Sequence, residues 1–584
     1  MKKLSLPGRI LLFVAIVAVS WYVWLPPLHL QSTQFWFYLL ALALIGAFLF
    51  VGGTQVREKT IRYMGFERTV KSRMPSKKLF RILLIIGAAV AAVVVIGFFS
   101  STQILHAGKY AHILDKENEN FTEKVVQLPP ERIPTVDRDT AIRLGNRKMG
   151  EVVDLVSQFT VSDQYTQINY QDDPVRVSPL RYASVVKWLM NTREGIPYYM
   201  RVNMIDGQTD LVKSDKPLRY SKSEHFNRYI TRHLRLQYPL KLFYNSNFEV
   251  DEKGVPYWIT PVYRMSVGLF GGPDVKEVIV TNAQDGRSKV YDVKQSPNWI
   301  DCVYEAPLII NQINWNGKYQ RGFINSVIGQ KGVLRATEGY NYLALNDDVF
   351  LYTGITSVSS DDSNIGFVLV NMRTKECVFY SVASAEEFSA MGSAEGAVQE
   401  KQYKATFPLL INMGDRPTYF LSLKDEAGLI KMYAFIDAEN YQHVVTSSNV
   451  AEAYKTYAAQ QNIQTEPGTA SKSKRVTGKV TDIQSVVIEG NSVFYFLLEG
   501  DETVYTAQAS ISEQLPFLRA GDDVTLSVSG AGKTCRVTAL DRGLVAKADQ
   551  TQPEAAAEKD QSKQVAVKAP KKAAAVAKKA GSAA

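Results

Sequence analysis

The stretch EVIVTNAQDGRSKVYDV, Glu277–Val293, decides how the middle of this chain is read. A β-branched run meets Asp285-Gly286 and resumes as a second run, which is a strand, a turn and a strand. Two other stretches share that frame. NFEVDEKGVPYWITPVYRM, Asn247–Met265, has a strand, an acidic-Gly turn at Lys253-Gly254 and another strand. FPLLINMGDRPTYFLSLKDEAGLIKMYAFID, Phe407–Asp437, turns at Gly414-Asp415 and again at Ala427-Gly428, so it predicts three strands. Asp206-Gly207 marks a further turn.

Helical patterns alternate with these hairpins. TVDRDTAIRLGNRKMGEVVDLV predicts a helix with Thr135 or Asp137 as N-cap. Further helices are predicted over Ser178–Thr192, Ser223–Pro239 and Ala383–Gln399. A helix on a meander is an α+β unit, and several in series make an α+β body over 135–464. The hairpins, above all VIVTNAQDGRSKVYDV, resemble PepSY-type modules, small helix-on-sheet units found outside bacterial membranes. The resemblance covers about half of the body. It implies a binding or regulatory role and no catalytic residues to carry over.

Beyond a polar linker over 465–474, residues 475–545 read as about five strands with a short helical link, SEQLPFL. Size, strand count and the stretch GDDVTLSV resemble the OB-fold barrel, in which a Gly-Asp turn opens the fourth strand. OB barrels hold single strands on aromatic platforms. Phe494, Tyr495 and Phe496 offer rings, but strand alternation turns some of them inward. Glu489, Glu499, Asp501 and Glu502 also surround the strand with negative charge. Protein binding or a purely structural role is favoured, with nucleic acid as the alternative. The remaining 546–584 lacks aromatic residues and is expected to be disordered. Lys568, Lys571, Lys572, Lys578 and Lys579 make it a cationic tail suited to polyanions.

The N-terminal hundred residues read as a membrane anchor. Apolar runs span about Ile10–Leu25, Phe35–Val51 and Leu79–Phe99, each long enough for a hydrocarbon core of about 30 Å. Trp21, Tyr22 and Trp24 end the first, and Phe35, Trp36, Phe37 and Tyr38 begin the second, as in an aromatic belt. A signal peptide followed by core helices is the alternative, but no small-residue cleavage site follows the first run. Lys and Arg crowd 53–79, from Arg57 through Arg73 to Lys78, whereas PPLHLQSTQ between the first two runs has none. Basic loops stay in the cytoplasm, so the N-terminus and 53–79 are expected inside and everything after Ser100 outside. Residues 101–134 read as a helical stalk, broken by LPPERIP.

The whole is therefore expected to be a membrane-anchored multidomain protein of the bacterial cell envelope. It has three N-terminal transmembrane helices, an α+β extracytoplasmic body, a C-terminal all-β OB-like barrel and a disordered Lys/Ala tail. The chain has 584 residues, 46% hydrophobic and 21% charged, with a formal net charge of +9. A mean hydropathy of -0.12 makes any membrane part a minority. The three cysteines, Cys302, Cys377 and Cys535, form no CxxC or Cys/His cluster, and Cys302 with Cys377 could pair. His225 and His233 lie two turns apart on one predicted helix. VGLFGGPD reads as a turn, lacking the P-loop lysine. Asp347-Asp348 and Asp361-Asp362 lack EF-hand spacing. Trp299 and Trp315 could line a groove for sugar or peptide, though rings in such number are more often core.

These features point to a non-enzymatic scaffold or binding protein with no cofactor. Its expected partners are the membrane and envelope proteins or anionic envelope polymers, and a homo-oligomer is possible. The alternatives are a nucleic-acid-handling membrane protein and an envelope enzyme of unrecognised type.

Overall fold

A computed structural model describes residues 6–51, 55–63, 66–74, 77–121, 125, 127–171, 173–345, 347–358, 360–463, 474–488, 491–501, 503–508, 512, 514–529 and 534–542. The fold is mixed α/β with several sheets, and the chain divides into two compact units, Met1–Pro467 and Gly468–Ala584. The linker over 465–473 and the tail from 543 onward lie outside the described residues, and with them Lys568, Lys571, Lys572, Lys578 and Lys579.

In the larger unit one design recurs four times. Each repeat has a lead-in segment, a helix and four antiparallel strands in meander order. The helices are Arg138–Gly150, Ile230–Gln237, Ala306–Tyr319 and Glu387–Ala397. The first begins at Asp137, one of the two expected N-caps, whose Oδ1 accepts the Thr140 N–H at 3.1 Å. The meander of the second repeat runs Asn247–Val250, Pro256–Val267, Gly271–Asn282 and Ser288–Asp292. The hairpin quoted at the outset is its last two strands, with Thr281 opposite Ser288.

A single turn chemistry closes all four meanders. Asn203, Asn282, Asn371 and Asp437 each end a third strand. Each side-chain oxygen accepts the N–H two residues on, from Ile205, Gln284, Arg373 and Glu439, at 2.8–2.9 Å. This Asx geometry replaces strand hydrogen bonds where the chain reverses. The next residue then ties the repeat together. Its N–H donates to the start of the second strand, as Met204 to Pro174 O, Ala283 to Pro256 O, Met372 to Val349 O and Ala438 to Pro417 O. Its carbonyl accepts from the lead-in segment, at Thr135 and Val136, Arg219 and Tyr220, Val303 and Tyr304, and Ala385.

The cores lie between consecutive repeats. Val177 and Tyr199 pack with Phe248 and Trp258, joining the first two. Ile259 and Val278 pack with Ile309 and Val368, joining the second and third. Tyr352 and Phe367 pack with Tyr419 and Ile436, joining the third and fourth. A further helix, Val450–Gln460, covers Phe435 of the last sheet with Tyr454 and Tyr457. The fourth repeat also reaches back to the first, where Ser422 Oγ donates to Thr135 O at 2.8 Å and Lys424 pairs with Asp137 at 2.6 Å.

Several expectations are corrected. Residues 101–134 are not a helical stalk. Helix Gln103–Ala111 is nine residues long, Glu117–Glu119 pairs in parallel with Cys377–Tyr380, and Leu114, Phe121 and Ile133 are buried in the body. The run DKENEN has no apolar face for a helix, and its backbone satisfies a sheet edge instead. Ser178–Thr192 begins as strand: Asp173–Tyr182 ends within it, and only Val185–Asn191 is helical, capped by Ser184. In Ser223–Pro239 the helix starts at Ile230, so His225 and His233 share no helix. Ser221 Oγ accepts the N–H groups of Ser223 and Glu224, both at 3.1 Å, and holds that part in a turn.

The N-terminal helices are Leu6–Trp24, Thr33–Val51 and Lys77–Ser100. Pro7–Trp24 is long and apolar enough to cross a membrane. Leu84–Ser100 joins Gln103–Ala111 across a 53° bend and would make a second span if the pair counts as one, while the apolar helix Thr33–Leu49 is shorter. The basic stretch between the last two helices pairs as an antiparallel hairpin, Gln55–Tyr63 with Phe66–Met74. The uncharged link between the first two is seated on the second repeat. Pro26 and Pro27 are buried, Leu28 N–H donates to Pro239 O at 2.9 Å, and Gln31 and the Met265 backbone exchange two hydrogen bonds of 3.0 Å. Ser101 Oγ, just past the third helix, accepts the Phe270 N–H at 2.8 Å.

The C-terminal unit has strands Lys474–Ile488, Asn491–Leu498, Val504–Gln508, Asp523–Ser529 and Thr534–Arg542. The first pairs with the second and the fourth, the second with the third, and the fifth with the fourth and, in parallel, the third.

Candidate functional site: a buried polar centre

The first strands of the four meanders meet inside the larger unit: Asn247–Val250 beside Thr166–Tyr170, that strand beside Asn341–Leu345, and the last beside Leu409–Met413. Strands this enclosed should be apolar, yet polar side chains gather where they meet. Glu249 is fully buried, and its two carboxylate oxygens accept the backbone N–H groups of Asp301 and Cys302, both at 3.0 Å. Asp301, also buried, accepts the Asn169 N–H on Oδ2 at 2.8 Å, and Asn169 Nδ2 donates to Asp347 Oδ1 at 2.9 Å. Arg176 Nη2 donates to Gln167 Oε1 at 3.0 Å, and the Cys302 thiol donates to Gln167 O at 3.4 Å. Asp348 takes a bidentate ion pair from Arg373 and a hydrogen bond from Asn371. The third repeat's Asx residue is thereby tied to the same region.

Burial dominates the electrostatics. It pushes Glu249 up to about 7, against the pull of its two N–H donors. Burial and then the Glu249 charge push Asp301 well above the carboxylate range. Arg176 is lowered by its own burial. Burial raises the Cys302 thiol too, and since the thiolate is the nucleophile, this sulfur is held unreactive. Asp301 Oδ1, Asn169 Oδ1 and Arg176 Nε have no hydrogen-bond partner among the described residues. Raised as they are, the two acids favour their protonated forms, and both are buried from solvent. Among the described residues no group of His, Cys, Asp and Glu has metal-binding geometry.

The candidates named from sequence fall elsewhere. Phe496 is buried in the C-terminal core and stacks on Tyr505 at 5.9 Å, and Phe494 packs on the same core. Tyr495 lies between them in sequence, on the other face of the strand, so the three rings form no platform. Trp299 packs on Tyr257 in the core between the second and third repeats. Trp315 packs edge-on to Tyr110 in a separate cluster. The structure brings no groove together from these two. Cys302 and Cys377 are free and buried, and so do not pair, and Cys535 is buried too. Sequence patterns alone do not single out Glu249 and Asp301 as a site. Their one signal is an acid inside an apolar run, in NFEV and in WIDCV.

No family model matches this chain, and no curated protein matches it. Among solved structures, a mutant levansucrase of B. megaterium aligns over 74% of this chain and 96% of its own, at 9% identity and a TM-score of 0.16. A dihydro-heme d1 dehydrogenase, NirN, aligns over 74% of this chain and 72% of its own, at 9% identity and a TM-score of 0.10. Likeness at these scores carries no argument about fold or function.

Proposed function

We propose that this protein is a non-enzymatic scaffold or binding protein of the bacterial cell envelope, held in the membrane by three N-terminal helices. Its N-terminus and basic hairpin are cytoplasmic, and its four-repeat body and C-terminal unit are extracytoplasmic. One observation carries this reading: the link between the first two helices is bonded into the second repeat. Body and link therefore share a side, and the Lys/Arg-rich hairpin follows the next helix, on the side where basic loops are retained. The sealing of the buried acids supports a structural use of them.

The C-terminal unit is an OB-type barrel in this reading. Its support is the strand order, first to second to third to fifth to fourth and back to first, with one parallel pair. With Phe494 and Phe496 turned into its core, contact with anionic envelope polymers falls to the lysine-rich tail. Lysines bind polyanions by charge and release counterions, so that contact weakens steeply with salt.

The test is a cross-linked pull-down from intact membranes with the full chain and with a chain ending at Asp549. The full chain should retain envelope proteins and anionic polymer, and the shortened one should lose the polymer. Turnover of wall glycan by the purified protein, abolished by one acid-to-amide change, would overturn the non-enzymatic reading.

A further inference from the structure

We propose that the body itself enters the bilayer surface, through two apolar patches set beside the ends of the N-terminal helices. This rests on the reading that those helices span the membrane. The first patch is helix Val185–Asn191. Trp188 is its one buried residue, while Val186, Leu189 and Met190 face solvent, Met190 at 73% exposure. Phe226 adjoins it, 66% exposed, its ring 5.9 Å from that of Trp188. Phe226 also sits at φ 50, a left-handed backbone that a bulky residue rarely accepts.

This patch is tied to the end of the first helix. Asn227, next to Phe226, accepts a hydrogen bond from Tyr22 OH at 3.1 Å. Arg232 donates to Tyr22 O at 3.1 Å, covers the Tyr22 ring and also donates to Phe226 O. Arg228 reaches back to Thr192 O at the end of the apolar helix, at 2.6 Å. Tyr22 lies in the last turn of Leu6–Trp24, where a side chain sits at headgroup depth.

The second patch lies by the third helix. Ile324, Val327 and Ile328 project from one short helical segment, Ile328 at 81% exposure. Phe323 in that segment stacks on Tyr319, whose hydroxyl bonds Gln103, and Gln103 opens the helix that starts three residues after Ser100. Leu105 of that helix is exposed as well. Exposed apolar clusters of this kind mark interaction surfaces. Continuity with two helix ends identifies the occupant as the acyl–headgroup boundary, where such faces lie in the plane of the membrane. Lys187 lies within the first patch's helix and Arg193 just after it, and Arg321 and Lys331 flank the second patch in sequence, cations suited to anionic headgroups.

The test uses the full chain in vesicles of phosphatidylcholine and phosphatidylglycerol, with an environment-sensitive fluorophore on Met190→Cys, Ile328→Cys or, as control, Glu400→Cys in the fourth repeat. The native cysteines are buried and leave the label to the new site. Probes at 190 and 328 should shift to the blue, be quenched severalfold more by spin-labelled lipid than the probe at 400, and resist aqueous iodide. If the chain survives alkaline extraction but both probes are quenched by iodide as the control is, the inference fails and the anchor stands. Shielding from iodide without quenching by lipid would mean a protein cover and also overturns it. If alkaline extraction strips the chain from the vesicles, the anchor fails and this inference with it.

Discussion

Glu249 has its carboxylate oxygens on two backbone N–H groups and lies beside a second buried acid, so its proton is linked to folding. Burial holds it near 7 in the fold, against an ordinary value of 4.5. Between those values the folded chain keeps a proton that the unfolded chain releases. Stability from the two raised acids is therefore fully present below the ordinary carboxylate range and is lost as pH rises toward neutral. Urea unfolding of the detergent-solubilised protein at pH 5 and 7 should show that fall. Glu249→Gln, which cannot ionise, should lessen that fall and leave the part due to Asp301, and an unchanged slope in the variant would refute the assignment. The two acids were visible in sequence as charges inside apolar runs. Their meeting was not, because Glu249 lies on a first strand and Asp301 on the lead-in to the next repeat. No local pattern pairs segments so placed.

At the scale of elements, the turns carry the repeat, and equivalent glycines in them differ in what they tolerate. Gly207 and Gly286 both follow the Asx residue by four and hold φ of 74° and 77°. A Cβ on Gly207 would meet Leu144 at 3.4 Å, an ordinary contact, whereas on Gly286 it would sit 2.5 Å from the Tyr220 ring. Gly207→Ala should then cost about 1 kcal/mol of backbone strain. Gly286→Ala should lower the melting temperature clearly further, and equal losses would contradict the packing described. Lys375 stands at the same place in the third repeat with φ 68, its ammonium on Asp274 and Ile113 O, so long-range bonds offset the strain there. In the C-terminal unit, Phe496→Ala should cost about 3–5 kcal/mol by opening the core. Tyr495→Ala should leave stability nearly unchanged, as denaturant unfolding of the two variants would show. Asp-Gly and Lys-Gly turns with period-two strands were legible from sequence because their chemistry is local. The first part of the helix expected over Ser178–Thr192 was not, since Ser178 and Pro179 are drawn into strand by pairing with Met200 and Tyr199, and Leu180 to Tyr182 by pairing with Phe159–Val161, a tertiary choice.

At the scale of the whole molecule, stability in the body is shared, because each core is built by two consecutive repeats and a last helix covers the end of the series. Such a body lacks independent parts, which is why hairpins could be read singly while the fourfold order stayed hidden. The same sharing extends to the N-terminal helices, through Leu28, Gln31 and Ser101. If those helices cross a membrane, the body is fixed to the side of the uncharged link, and the hairpin at Gln55–Met74 must lie across from it. Lys and Arg resist translocation, so in the proposed arrangement the hairpin side is the cytoplasm. The expected result is that Ser471→Cys reacts with a membrane-impermeant maleimide in intact cells. Ser72→Cys should react only after the membrane is opened. Cys302, Cys377 and Cys535 are buried and give little background in folded protein. Labelling of both sites in intact cells would mean that the chain does not cross as proposed. Labelling at Ser72→Cys with protection at Ser471→Cys would place the body in the cytoplasm. The contacts between link and body would survive that result, and the assignment of the scaffold to the envelope would not.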